Sequence, residues 1–108
     1  MARGKAVVIF VTTSSSVEAE KIGRTLVKEK LVACANILHP IRSIYRWQGK
    51  ICDEPEALMV LKTRSGRIQK IIQRIRSLHS YTVPEIIALP IVAGSKEYLR
   101  WIHEVTHR

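Results

Sequence analysis

Four apolar runs rich in β-branched residues share this chain with only two long amphipathic helices, and that imbalance limits what it can fold into. The runs span residues 6–12, 31–37 with a continuation at 41–47, 50–62, and 85–92. The third is strongest at Ala57-Leu58-Met59-Val60-Leu61. Its polar start, Cys52-Asp53-Glu54-Pro55-Glu56, reads as an irregular edge. His39-Pro40 interrupts the second run at a bend or bulge. Gln48-Gly49 makes a tight turn between the second and third, because glycine takes positive φ without steric cost. Ser15-Ser16-Val17-Glu18 forms a capping box, with Ser15 accepting from the helix start and Glu18 reaching back. Behind it, Ala19, Ile22, Gly23, Leu26, Val27 and Lys30 recur on one helical face. Ser65 caps a second helix with a stripe of Ile68, Ile71, Ile72, Ile75 and Leu78. After Ala93-Gly94-Ser95 a short helix carries Tyr98, Trp101, Ile102 and Val105 on one side.

The order β-α-β-β-α-β with a helical tail predicts an α+β, ferredoxin-like (split βαβ) sandwich. Right-handed crossovers put both long helices on one face of the sheet. Yet the strand runs are continuously apolar, unlike a sheet with one wet face. Leaving half a dozen Val, Leu or Ile side chains in water would forfeit about 10 kcal/mol, comparable to the stability of a whole domain. A patch of that size marks an interface. The expectation is an obligate homo-oligomer packed sheet to sheet.

The 108 residues suffice for one compact domain, taken as 1–108, and not for two. Two cysteines, Cys34 and Cys52, lie eighteen positions apart with no CxxC pattern. They form neither a zinc knuckle nor a disulfide framework and fit a reducing compartment. Cys34, inside the run 31–37, reads first as a small buried hydrophobe. The apolar core of the N-terminal stretch, 6–11, is too short to cross a bilayer and lacks a small-residue cleavage site. The expected location is the cytoplasm, with no membrane partner.

Net charge is +9, and no acid lies between Glu56 and Glu85, where Lys62, Arg64, Arg67, Lys70, Arg74 and Arg76 fall. Such a stripe is either a solvated helix face or a module for an anionic or nucleic-acid partner. No aromatics interleave with it, which argues against a base-stacking nucleic-acid platform.

Residues 78–90, LHSYTVPEIIALP, put a histidine, a tyrosine and a carboxylate within seven positions at the mouth of the last strand. Val83-Pro84 stiffens that approach and gives Glu85 a set direction. The segment is either a ligand site or a structural corner. His103-Glu104-Val105-Thr106-His107 matches HExxH, but it ends one residue before Arg108 and has no third ligand downstream. It is read as non-catalytic, with weak binding of stray Zn²⁺, Cu²⁺ or Ni²⁺ through the histidine pair. Tyr45 and Trp47, two apart, share a strand face and either line a cleft or anchor a neighbouring protomer. Trp101 and Tyr98 read as packing residues of the final helix. Lys62, beside Thr63, either binds an anion in a cleft or points to solvent. No serine-histidine-acid order, P-loop or dinucleotide fingerprint is present, so no catalytic residue is assigned.

The segments 31–37 (LVACANI), 43–51 (SIYRWQGKI), 61–63 (LKT), 79–87 (HSYTVPEII) and 98–101 (YLRW) occur in an order that resembles the divalent-cation tolerance (CutA) family, from Val7 to Trp101. The resemblance implies a ferredoxin-like fold assembled as a tight homotrimer, a link to copper and other divalent-ion tolerance, a cleft between protomers, and no catalytic reaction. It implies that His79, Tyr81, Glu85 and Lys62 line that cleft. Tyr45, Trp47 and Trp101 would then meet the neighbouring protomer. Family trimers are similar in architecture to PII-type signalling proteins, but likeness of fold does not transfer function. Docking of an unknown protein partner therefore stands as a further alternative. The chain departs from the family pattern where HPYE is usual and His79-Ser80-Tyr81-Thr82 stands here. Where some bacterial members offer a metal-binding cysteine and histidine, this chain has Val11 and Leu78. The implied metal ligands reduce to Glu85, joined by His79, for Cu²⁺ or another divalent cation, with water or a neighbouring protomer supplying the rest.

Overall fold

The structure is a computed structural model that describes residues 5–107. In chain order its elements are β1 (Ala6–Thr13), α1 (Ser16–Lys28), β2 (Cys34–Trp47), β3 (Lys50–Arg64), α2 (Ile68–Leu78), β4 (Ile86–Pro90) and α3 (Lys96–Val105). Among the described residues the strands form one antiparallel sheet in the order β2-β3-β1-β4. This is the split βαβ arrangement that the element order predicts.

Local chemistry sets the helix ends. The Ser15 hydroxyl accepts from the Glu18 N–H at 3.1 Å and caps α1. At the other end Lys30 takes φ 61°, and the Leu31 N–H donates to the Leu26 carbonyl at 2.9 Å, closing the helix in a Schellman arrangement. The chain then runs through buried Leu31, Val32 and Ala33 before β2 begins at Cys34, so the second apolar run starts ahead of its strand. Ser65 departs from its expected role. It opens a single 3₁₀ turn, Ser65–Arg67, ahead of α2, and its hydroxyl accepts from the Lys5 N–H at 3.1 Å.

Alternation in the strands decides the core. Val7, Ile9 and Val11 of β1 and Ala57, Met59 and Leu61 of β3 face Ala19, Ile22 and Leu26 of α1 and Ile71 and Ile75 of α2. Ile72 is only half-buried, at the edge of its stripe. Gly23 lets α1 approach the edge strand closely: a Cβ there would stand 3.2 Å from that of Ala35.

The second face of the sheet carries Val8 and Phe10, paired with Lys62 and Val60 on one side and with Leu89 and Ile87 on the other. Leu58 and Leu38 continue it. α3 covers only one end, where Ile102 packs with Ala6 and Ala33. Beyond that end Leu38 is 49% exposed, Ile87 51% and Leu89 43%. This is the uncovered greasy surface that two helices on one face leave behind.

One region differs from expectation. Residues 52–56 pair regularly with β2, from Ile41↔Glu56 to Trp47↔Lys50, and the irregularity lies across the strand, between Leu38 and Ile41. β1 stops at Thr13↔Ala57. The outer halves of β2 and β3 therefore form a two-stranded arm about 20 Å long, taking ~3.3 Å per residue. Gln48 (φ 51°) and Gly49 (φ 80°) close its tip, the paired positive φ values of a two-residue hairpin turn.

Candidate functional site

The arm and the approach to β4 together line an open cavity of about 760 Å³. Tyr45 and Trp47 line it from the arm, Glu56 from the arm's root, and Tyr81, Val83 and Glu85 from the loop before β4. The register puts Tyr45 opposite Cys52 and Trp47 opposite Lys50, so both rings lie on the strand face that Glu56 shares.

Three anchors hold the loop that forms the cavity wall. The His79 side chain is fully buried. Its Nε2–H donates to the Thr12 carbonyl at 2.8 Å, and its Nδ1 accepts from the Tyr81 N–H at 3.0 Å. The Glu18 carboxylate accepts from the Ser80 N–H at 2.7 Å and from the Ser80 hydroxyl at 3.1 Å. Burial works against the Glu18 charge, but hydrogen bonds from Ser80 and Ser14 together outweigh it and hold its carboxyl below the ordinary range. Glu18 reaches back past the N-cap, to the N–H of Ser14 at 3.4 Å and not to that of Ser15, while its shortest bond fastens the loop. Finally the Tyr81 hydroxyl donates to Glu56 at 2.6 Å, across the cavity root.

These contacts give the cavity its electrostatics. Glu56 is 6% exposed. Burial, and then the negative charge of Glu56, push the Glu85 carboxyl above the usual carboxylate range. Burial and the same carboxylate raise the Tyr81 phenol further above its ordinary value, which keeps it a donor. Burial followed by the charges of Glu54, Cys52 and Glu56 raises Tyr45 as well. The cavity is thus an acidic pair framed by aromatic rings. Arg42 reaches its rim but is engaged by Asp53 in a two-pronged bond, at 2.9 and 2.7 Å. Tyr81→Phe would leave the Glu56 carboxylate buried without its donor. The expected cost is about 1–3 kcal/mol in urea unfolding at fixed protomer concentration. Tyr45→Phe, on the exposed arm, is expected to leave the midpoint unchanged.

The cavity gathers Tyr81 and Glu85 from the sequence-predicted set, and Tyr45 and Trp47 with them. It does not gather His79, whose ring nitrogens are both spent on the backbone and leave no lone pair for a metal. Nor does it hold Lys62, six residues along β3 from Glu56 and about 20 Å away at strand rise. Lys62 donates to Asn36 in the neighbourhood of Cys34, whose sulfur is 3.8 Å from the Tyr98 hydroxyl. Trp101 lies on α3, 37% exposed, its ring tilted against that of Tyr98 with centroids 5.4 Å apart. Among the described residues no group of three or more His, Cys, Asp or Glu could hold a metal ion. Glu56 was missed from the sequence because it sits in a polar stretch that looked like a strand edge.

The basic stripe does not survive as a unit. Arg64 and Arg67 donate to the Thr106 carbonyl at the end of α3, and Arg74 pairs with Glu29 at 2.8 Å. In the HExxH-like segment the His103 Nδ1 lies 3.0 Å from the Leu99 carbonyl, and Thr106 is buried with its hydroxyl on Ile102.

Comparison with known proteins bears on all of this. The family described as "CutA1 divalent ion tolerance protein" matches residues 7–105. The chain is 46% identical over 99 residues to the "Divalent-cation tolerance protein CutA" of Thermus thermophilus, covering 92% of this chain and 96% of that one. It is 42% identical to "Protein CutA" of Mus musculus over 95% of this chain, but spans only 58% of the mouse protein. The solved structure of the "Periplasmic divalent cation tolerance protein CutA" from Archaeoglobus fulgidus superposes with a TM-score of 0.92 at 42% identity, covering 94% of this chain and 99% of that one. Among the described residues no helix is long and apolar enough to cross a membrane.

Proposed function

The chain belongs to the CutA1 divalent ion tolerance protein family, a family of non-catalytic tolerance proteins, and on that premise we propose that it acts in divalent-cation tolerance as a homotrimer that takes a cation or small ligand in the cleft beneath its arm. The observation that carries this reading is the meeting of Glu56 and Glu85 in one aromatic-walled cavity. The open apolar sheet face supports the assembly. The arm, standing clear of its own sheet, suits a cleft completed by a neighbour.

The donors that one chain offers are oxygens. Two carboxylates and a phenol suit a hard divalent cation, or a partly hydrated copper ion that finds further ligands on a neighbouring protomer. Glu85 is the residue we assign to the ion and Glu56 its partner. His79 orients the loop. Cys34 and Cys52 are both unpaired, which fits a reducing compartment, and we place the chain in the cytoplasm.

Calorimetry with Cu²⁺ tests the site. A proton on Glu85 competes with the cation, and a raised carboxyl keeps that proton to higher pH than a free glutamate would. Affinity is therefore expected to start falling at a higher pH than a free glutamate would dictate as the solution is acidified from pH 7, with proton release on binding at the lower pH. Glu85→Gln should abolish both the binding and its pH dependence. Equal affinities for the wild type and Glu85→Gln would remove the cleft from metal handling.

A further inference from the structure

We propose that the helix-bearing face of the chain docks the phosphate backbone of a nucleic-acid duplex without reading its sequence. This surface becomes visible only when the helices are set side by side, because its cations come from both. A groove of about 570 Å³ runs between the exit of α1 and the face of α2. Lys30 lines it on one side and Lys70 on the other, with Arg67, which also donates to the Thr106 carbonyl, and Arg74, whose charge is paired with Glu29. Gln73 and Ser77 also line it, neutral groups of the kind that accompany Arg and Lys at phosphate oxygens. Across α1 a second groove, of about 800 Å³, adds Lys21, Arg24 and Lys28. Among the described residues lining the two grooves the carboxylates are Glu20 and Glu29, and Glu29 is occupied by Arg74.

Shape and composition select the occupant. Cations lining a shallow groove from both helices fit a strand of phosphates better than a flat lipid surface. Neither groove is lined by an aromatic ring, so unpaired bases have no stacking platform and a membrane has no interfacial anchor. A duplex, by contrast, presents about one negative charge per 1.7 Å of axis. This face also lies opposite the apolar sheet surface assigned to assembly, so a trimer keeps it outward.

Fluorescence anisotropy with a labelled duplex DNA of about 20 base pairs tests the proposal. At 50 mM NaCl the expected dissociation constant is micromolar, weakening on the order of a hundredfold by 200 mM as about four phosphate contacts release counterions. The double variant Lys30→Asn, Lys70→Gln should bind at least about tenfold more weakly and show a salt slope shallower by about two. Asparagine tolerates the positive φ at position 30, and light scattering confirms assembly. The control Arg46→Gln, Lys50→Gln removes the same charge from the arm tip and should bind like the wild type. Absence of binding at 50 mM overturns the proposal. Equal losses in both double variants overturn it too, by reducing the effect to net charge. So does Lys30- and Lys70-dependent capture by phosphatidylserine vesicles in preference to the duplex.

Discussion

Phe10→Asp is expected to abolish assembly: light scattering should give a trimeric mass for the wild type and monomers or aggregates for the variant. Phe10 sits in β1, with β3 on one side and β4 on the other, opposite Val60 and Ile87. It lies on the sheet face that α1 and α2 do not cover. In the single chain it is half-buried, and Leu38, Ile87 and Leu89 on the same face are 43–51% exposed. An aspartate there would be driven into an apolar contact, with Val60 and Ile87 as its partners in the sheet. Burying such a carboxylate unpaired costs several kcal/mol, and a symmetric trimer would incur it in every protomer. Val17→Asp is the matched control. Val17 is 76% exposed on α1, so the same charge on the helix face should leave the mass unchanged. A Phe10→Asp protein that stays trimeric at low micromolar concentration would show that this sheet face is not where copies meet.

The reasons some features were legible from residues and others were not are physical. Helix faces follow from periodicity, so the stripe Ala19, Ile22, Leu26 and the buried pair Ile71 and Ile75 were readable directly, and the topology follows from element order and crossover handedness. The hairpin of the arm was legible in its turn at Gln48-Gly49 and in the runs 41–47 and 50–62. The regular pairing of 52–56 was not, because Asp53, Glu54 and Glu56 disguise a strand whose partner is another exposed strand and whose pattern no core dictates. Glu56 was lost with it. The bonds of Glu18 to Ser80 span 62 residues, and no local pattern encodes such a contact. The capping-box signal at Ser15 and Glu18 was correct for the helix but concealed the carboxylate's second task. Lys62 and Glu85 looked like partners because both end strands beside family motifs. Register separates them, since Lys62 lies opposite Val8 on one side of β1 while Ile86, the residue after Glu85, lies opposite Val11 on the other.

His79→Gln and His79→Ala should part company, and the difference tells whether this residue binds metal or braces the cleft. Alanine removes the donor to the Thr12 carbonyl and the acceptor for the Tyr81 N–H. It also empties a fully buried site. Two backbone groups lose their partners at about 1–3 kcal/mol each, so the urea midpoint should drop sharply. The Tyr81–Glu56 bond should loosen with the wall, and Cu²⁺ affinity should fall as a consequence. Glutamine keeps an amide N–H within reach of the Thr12 carbonyl and an oxygen for the Tyr81 N–H, without an imidazole. A bracing residue predicts that His79→Gln regains most of the lost stability and binds Cu²⁺ like the wild type. A ligand predicts the opposite split, with stability regained and affinity still missing. The geometry favours the first result. A neutral imidazole that donates from one nitrogen and accepts at the other has no free electron pair, and a metal could claim one only by breaking the bond that orients Tyr81. Copper binding by the wild type that shifts the His79 ring signals in NMR, together with loss of affinity in the stable glutamine variant, would make His79 a ligand after all.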